Sequence, residues 1–301
     1  LFGLDIDTGE AVWRKRHAVD SGPDTSYVGA YDGVVVHGVD TAFGGAGANK
    51  RVIGVNATNG DLMWQYKPTI PVWNIMPMFG GDDTVTFMDY TGGVHCLNLH
   101  TGAKKWHTPP PQIQSFSDGG VILGPDNTAY TCSNVNGMGI QGLFGQGALR
   151  AYRHSDGAMM WQQGLPLPCI SWPAVSADGS SVVVSIGGFP LPVPPQPKES
   201  EVWSFNARTG KPKWHHRLEP WAEPLARADV EGLPTRLALG HRPACIPASW
   251  SAPTIDATGA VLVGHESGKI YRIHNEQEDP KEMGLLDAAQ SEGNSTVSTF
   301  D

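Results

Sequence analysis

Nowhere in this 301-residue chain do about 20 apolar residues run together, the length a membrane-spanning helix needs, and the amino terminus lacks the basic and apolar regions of a signal peptide. No direct membrane insertion is expected. Charge is also scarce, at 17% of residues, and the 30 acidic side chains outnumber the 21 basic ones to leave a net charge of −9. Nucleic acid is therefore excluded as an expected partner, because binding to phosphate backbones depends on a basic surface. Four cysteines, Cys96, Cys132, Cys169 and Cys245, stand far apart with no CxxC, no CxxCH and no adjacent pair. Neither a zinc ribbon nor a c-type haem site follows from them, and small buried side chains are the expectation. Cys169 and Cys245 lie in Pro-containing segments, and a disulfide between those two is conceivable in an oxidising compartment. The chain also lacks G-x-S-x-G, H-E-x-x-H, the P-loop and the EF-hand loop.

What is abundant is 37 Gly, 24 Pro and 10 Trp, a composition of many short strands joined by tight turns. One motif recurs five times with a Gly four residues before a Trp: LFGLDIDTGEAVW (1–13), VIGVNATNGDLMW (52–64), VHCLNLHTGAKKW (94–106), LRAYRHSDGAMMW (149–161) and VWSFNARTGKPKW (202–214). Each copy reads as strand, tight turn, strand. Asp5, Asn56, Asn98 and Asn206 open the turn, where a short polar side chain bonds its own backbone. Arg153 cannot do this, so the fourth copy is weaker. Gly9, Gly60, Gly102, Gly157 and Gly210 supply positive φ. Trp13, Trp64, Trp106, Trp161 and Trp214 each bury a large ring and offer an indole N–H to a neighbouring unit. The small residues Gly3, Gly54, Cys96, Ala151 and Ser204 are expected to let neighbouring sheets approach.

Hairpin signals precede the motifs (32–36, 82–87, 126–131, 178–184, 258–263), and short apolar runs lie upstream of most of them. About four strands per repeat at this spacing is the pattern of a propeller blade. The last unit, 261–279, keeps its hairpin but loses both Gly and Trp.

These motifs resemble the pyrroloquinoline-quinone-repeat β-propellers, whose blades carry a tryptophan-docking motif A-x-D-x-x-T-G-x-x-x-W. Gly3, Asp5, Thr8, Gly9 and Trp13 fit it, as do Ser204, Asn206, Thr209, Gly210 and Trp214. The resemblance covers nearly the whole chain and implies an all-β propeller of four-stranded antiparallel blades. It also implies one of two functions: a quinone-dependent dehydrogenase, or a cofactor-free scaffold such as the lipoprotein of the bacterial outer-membrane assembly machine. The enzyme class requires an adjacent Cys pair beneath the quinone, calcium ligands and a carboxylate base. With no such pair present, the expectation is a non-catalytic scaffold holding other protein subunits, with no cofactor and no metal. A dehydrogenase fragment and a small-ligand or glycan binder using the axial pocket are the alternatives.

One domain over 1–301 is expected, with loop insertions at 133–147, 187–200 and 218–247. Loops on a rigid scaffold are where partner contacts concentrate, so Pro190, Pro192, Pro194, Pro195 and Trp221 are candidate contact residues. His215 and His216 face opposite sides of a strand and should not share a metal. The DID run at 5–7 reads as turn capping. Of the two sequons, at Asn56 and Asn294, the first falls inside the docking motif, where a glycan would obstruct packing. The resemblance and the absence of an initial Met lean toward an exported or organelle-lumen protein. Written end to start, GNSTVSTFD (293–301) and LFGLDIDTGEAVW make half a blade. That predicts six blades closed by the two termini, with Val297–Phe300 paired to Leu1–Asp5, against an alternative of seven or eight blades in an incomplete chain.

Overall fold

The computed structural model describes residues 1–20, 27–42, 48–110, 115–117, 120–135, 145–188, 197–223, 226–240, 251–275 and 295–300. Strands follow one another through antiparallel sheets, labelled I to VI in chain order. Sheet I is a hairpin of Phe2–Leu4 and Ala11–Arg14; sheet II contains Val28–Tyr31, Val34–Thr41, Asn49–Asn56 and Leu62–Tyr66. Sheet III is built from Met78–Phe79, Thr84–Met88, Val94–Asn98 and Lys104–Thr108. In sheet IV the first strand is split into Ser115–Phe116 and Val121–Leu123, both paired to Thr128–Val135, and Gln146–Arg153 and Met159–Gly164 follow. Sheet V holds Ala174–Val175, Ser181–Gly187, Ser200–Asn206 and Pro212–Arg217; sheet VI holds Thr254–Ile255, Val261–Gly264, Ile270–Asn275 and Ser295–Phe300.

The first strands of sheets III to VI lie side by side, joined in one place by a parallel bridge between Met76 and Gly120. Tyr27, entering sheet II, meets Trp172, entering sheet V, edge-on at 5.4 Å. The core is a series of layers between consecutive sheets: Val36, Val52 and Ile75 against Val85, Phe87 and Leu97, then Tyr130 and Leu149 against Val182 and Phe205. The alternating apolar positions of each strand, buried on both faces in the middle of the array, produce these layers.

Two expectations are corrected. Ser295–Phe300 pairs with Ile270–Asn275, in register from Ile270 with Phe300 to Asn275 with Ser295, and not with Leu1–Asp5. The termini therefore do not share a blade, and the six-blade count based on that sharing is not formed. Filling the open edge of its own sheet closes a short loop, whereas pairing with the first strand would close nearly the whole chain, at greater entropic cost. Cys169 bonds Cys132, not Cys245, across a sequence separation of 37, and Cys245 lies outside the described residues. The disulfide joins the second strand of sheet IV to the connection leading into sheet V.

The insertion at 218–247 contains a helix, Arg227–Ala238, where no helix was expected. Gly232 and Pro234 sit inside it, and its apolar residues form no clear stripe, which is why the sequence does not announce it. The 133–147 and 187–200 insertions shrink to 136–145 and 188–199, because their ends extend the flanking strands.

Candidate functional site

Four of the five repeats place their Trp on the turn of the next sheet. Trp13 Nε1 donates to Ala57 O at 2.9 Å, Trp64 Nε1 to Leu99 O at 2.6 Å, Trp106 Nε1 to His154 O at 2.8 Å and Trp161 Nε1 to Ala207 O at 3.0 Å. Beneath each ring lies the turn glycine of that next sheet, Gly60, Gly102, Gly157 or Gly210, each at φ between 68° and 73°. A Cβ on any of them would press into the indole. Gly9 has the same turn conformation, at φ 71°, with no indole against it among the described residues. Trp214 packs in the layer between sheets V and VI, and the connection that would receive it, 276–294, lies outside the described residues.

The small residue of each motif has a different reason from the one expected. Gly3, Gly54, Cys96, Ala151 and Ser204 stand opposite Trp13, Trp64, Trp106, Trp161 and Trp214 within the same sheet. At Gly3 and Gly54 even a Cβ would overlap the indole of its own sheet, Trp13 or Trp64, and the other copies keep the side chain small. The turns are capped as expected where the residue permits: Asn98 Oδ1 accepts from Thr101 N at 2.9 Å and Thr101 Oγ1 at 2.8 Å, and Asp5 Oδ1 from Thr8 N at 2.9 Å. In the fourth copy Asp156 substitutes, accepting from Ala158 N at 3.0 Å and pairing with Arg153 at 2.7 Å. Asn56 Oδ1 accepts from Thr58 N at 2.8 Å, so the first sequon is engaged in its turn.

Antiparallel order separates the connections into two sets. Those between first and second strands and between third and fourth emerge at one end of every sheet, and among the described residues they are tight turns; the long connection 276–294 of sheet VI belongs to this end and lies outside the described residues. Those between second and third strands, and from one sheet to the next, emerge at the other end. All three insertions lie in this second set. Two of them, 187–200 and 218–247, are anchored to the sheets by buried polar contacts. Lys198 Nζ lies 2.5 Å from Glu266 Oε2, both side chains nearly fully buried, and burial raises the Glu266 carboxyl above its usual range. Trp221 N and O bond Lys198 O and N at 3.0 and 2.8 Å, and Arg227 N at the helix start donates to Glu266 O at 2.8 Å. Of the candidate contact residues, Trp221 is half-buried in this bracing and turned edge-on to His265, while Pro190, Pro192, Pro194 and Pro195 lie outside the described residues. On the helix and its cap, Val230, Leu237 and Leu239 are exposed.

Next to the docking set runs a second series that sequence reasoning missed. The residue before the small position pairs with the residue after the Trp: Phe2 with Arg14, Ile53 with Gln65, His95 with His107, Arg150 with Gln162 and Trp203 with His215. Trp203 and His215 stack at 4.5 Å, Arg150 Nε donates to Gln162 Oε1 at 2.8 Å, and the Arg14 guanidinium lies 5.1 Å over Phe2. The signal was available, since the Trp register of the motif fixes the partner one residue along. In sheet III this series brings His95 and His107 beside Asp89. The Asp89 carboxyl is buried, which works to raise its pKa, but hydrogen bonds from His107 and His95 outweigh burial and hold it at about 2. His95, also buried, is pushed below the ordinary histidine range by desolvation.

The family model described as outer membrane protein assembly factor BamB matches residues 1–130 and 91–276. Among solved structures, the chain is similar to quinohemoprotein alcohol dehydrogenase from Comamonas testosteroni (12% identity, TM-score 0.52, 84% of this chain and 41% of that one). It is also similar to quinohemoprotein alcohol dehydrogenase ADHIIG from Pseudomonas putida HK5 (14%, 0.55, 93% and 50%). BamB from Moraxella catarrhalis is a further similar structure (14%, 0.45, 88% and 76%). The chain thus spans half or less of the length of the two dehydrogenases, and at such identities the likeness concerns fold alone. Comparison with curated proteins gave no match.

Proposed function

The chain belongs to the family described as outer membrane protein assembly factor BamB, and from that premise we propose that it is a non-catalytic β-propeller scaffold, holding other protein subunits through the loops of one face. The observation that supports this reading most is the segregation of the three insertions 133–147, 187–200 and 218–247 to one end of the sheets, braced from below by the Lys198–Glu266 pair and Trp221. Rigid sheets that present several long connections side by side make a composite surface, and the exposed Val230, Leu237 and Leu239 give it apolar character. Deletion of residues 190–197 is expected to leave the melting temperature nearly unchanged while weakening capture of the partner subunit in a pull-down from the native source. A chain that purifies from that source alone, as a monomer, would sink the proposal.

Against a quinone site stands the cysteine arrangement. The site described for quinone dehydrogenases rests on two adjacent cysteines, whereas Cys132 bonds Cys169 and buried Cys96 stands alone, so the residues present do not fit the cofactor. Purified protein mixed with pyrroloquinoline quinone and calcium is expected to show no dye-linked oxidation of alcohols or sugars. Stoichiometric quinone retained after gel filtration would overturn the scaffold reading in favour of the dehydrogenase class.

A further inference from the structure

We propose that Asp89, His95 and His107 form a binding site for one divalent transition-metal ion, with Zn²⁺ the ion best matched to the ligand set. This goes beyond the scaffold reading and does not depend on it. The three side chains come from different parts of sheet III: Asp89 from the turn after Thr84–Met88, His95 from Val94–Asn98 and His107 from Lys104–Thr108. Their ligand atoms lie within 4.8 Å of one another, with Asp89 Oδ2 at 3.0 Å from His95 Nε2 and 3.8 Å from His107 Nε2. In a tetrahedral zinc site, ligand atoms about 2.0–2.2 Å from the metal stand roughly 3.3 Å apart, so His107, stacked on His95 at an interplanar angle of 17°, completes the set by turning its Nε2 inward out of that stack.

Asp89 and His95 are held by their outer atoms, leaving the inner ones to converge. Asp89 Oδ1 accepts from Thr91 N at 2.9 Å, Thr91 Oγ1 at 2.9 Å and Gly93 N at 3.0 Å, so Oδ2 is the oxygen turned to the histidines. His95 Nδ1 is hydrogen-bonded to Tyr66 OH at 3.1 Å, an outer contact of the kind that fixes ring orientation in metal-binding histidines. The His95 ring is clamped between Phe87, stacked at 5.2 Å, and His107, stacked at 4.1 Å. Gly93 passes so close that a Cβ there would overlap the Asp89 carboxylate and stand 3.1 Å from His107 Nε2, so only glycine leaves the space clear.

Charge argues in the same direction. Asp89 and His95 are almost completely buried, and among the described residues the ion-pair partners of Asp89 are the two histidines, with no Lys or Arg. A buried carboxylate with no Lys or Arg beside it is a site where a dication would supply the missing countercharge. His107 is 31% exposed, which gives the ion a path in and leaves a coordination position open to water. An aspartate with two imidazoles is a donor set of intermediate softness, suited to Zn²⁺ rather than to Ca²⁺ or Mg²⁺.

The test is titration of the metal-free, tag-free full chain with Zn²⁺ by calorimetry, followed by Co²⁺ substitution. Expected are one tightly bound equivalent and a cobalt spectrum of low coordination number. His107→Ala, at a partly exposed position where folding is checked by circular dichroism, should weaken that equivalent by at least about 10-fold. His100→Ala should leave it unchanged, although His100 has its own exposed acidic neighbours, Asp32 at 3.2 Å and Asp83 at 3.6 Å. Absence of stoichiometric binding by the wild-type chain overturns the proposal and leaves the cluster as a hydrogen-bonded carboxylate. Undiminished affinity in His107→Ala, or loss in His100→Ala, overturns it as well.

Discussion

Replacing Trp64 by alanine is expected to destabilise the protein by about 3–5 kcal/mol, the range for truncating a buried large aromatic. Trp64 is the most buried of the docking indoles, at 6% exposure. Its ring covers Gly102 of sheet III and its Nε1 donates to Leu99 O at 2.6 Å, so the substitution opens a cavity between two sheets and removes a donor from a buried carbonyl. The Val85, Phe87 and Leu97 layer loses a wall. Chemical denaturation of wild type and Trp64→Ala measures the difference. Trp221→Ala provides the comparison, since Trp221 braces a loop through its backbone, which alanine retains. Its cost should be clearly smaller, and equal losses at the two positions would show that docking onto the next sheet is not what makes the motif tryptophan matter.

Loss of the Cys132–Cys169 disulfide is the second large effect expected. The bond closes a loop with a sequence separation of 37, for which chain entropy alone gives about 4 kcal/mol, and native disulfides typically contribute about 2–4 kcal/mol. Both cysteines are buried, Cys132 in sheet IV and Cys169 in the connection to sheet V, so the bond also ties two core layers together. Wild type under reducing conditions and the Cys132→Ala/Cys169→Ala variant should both melt lower, by roughly 4–15 °C for a chain of this size. The outcome that defeats this expectation is an unchanged melting temperature once mass spectrometry shows the thiols free. A structural disulfide of this kind persists in an oxidising compartment.

Much of this molecule was legible in the sequence because its information is local. The Asx residue, the Thr and the Gly at fixed offsets dictate a turn within five residues, and alternating apolar positions dictate strands, so the turns at Asn98 and Asn206 needed no tertiary information. The repeat then fixed the family, and the position of Trp four residues after Gly carried the docking of one sheet on the next. The same register placed His107 opposite His95, a pairing readable from the motif once Trp106 is set against Cys96.

Only the tertiary structure decided the rest, and the reason is common to all of it. Which edge Ser295–Phe300 fills, which thiol lies beside Cys169 and whether Asp89 turns toward the histidines depend on distances between segments far apart in the chain or separated by a turn. Local propensity is silent about those distances; they follow from the curvature of the sheet array and from which open edge is reached at the lowest loop-closure cost. The helix Arg227–Ala238 belongs with them, since its Gly232 and Pro234 disfavour it locally and it is tethered to the sheets at Glu266.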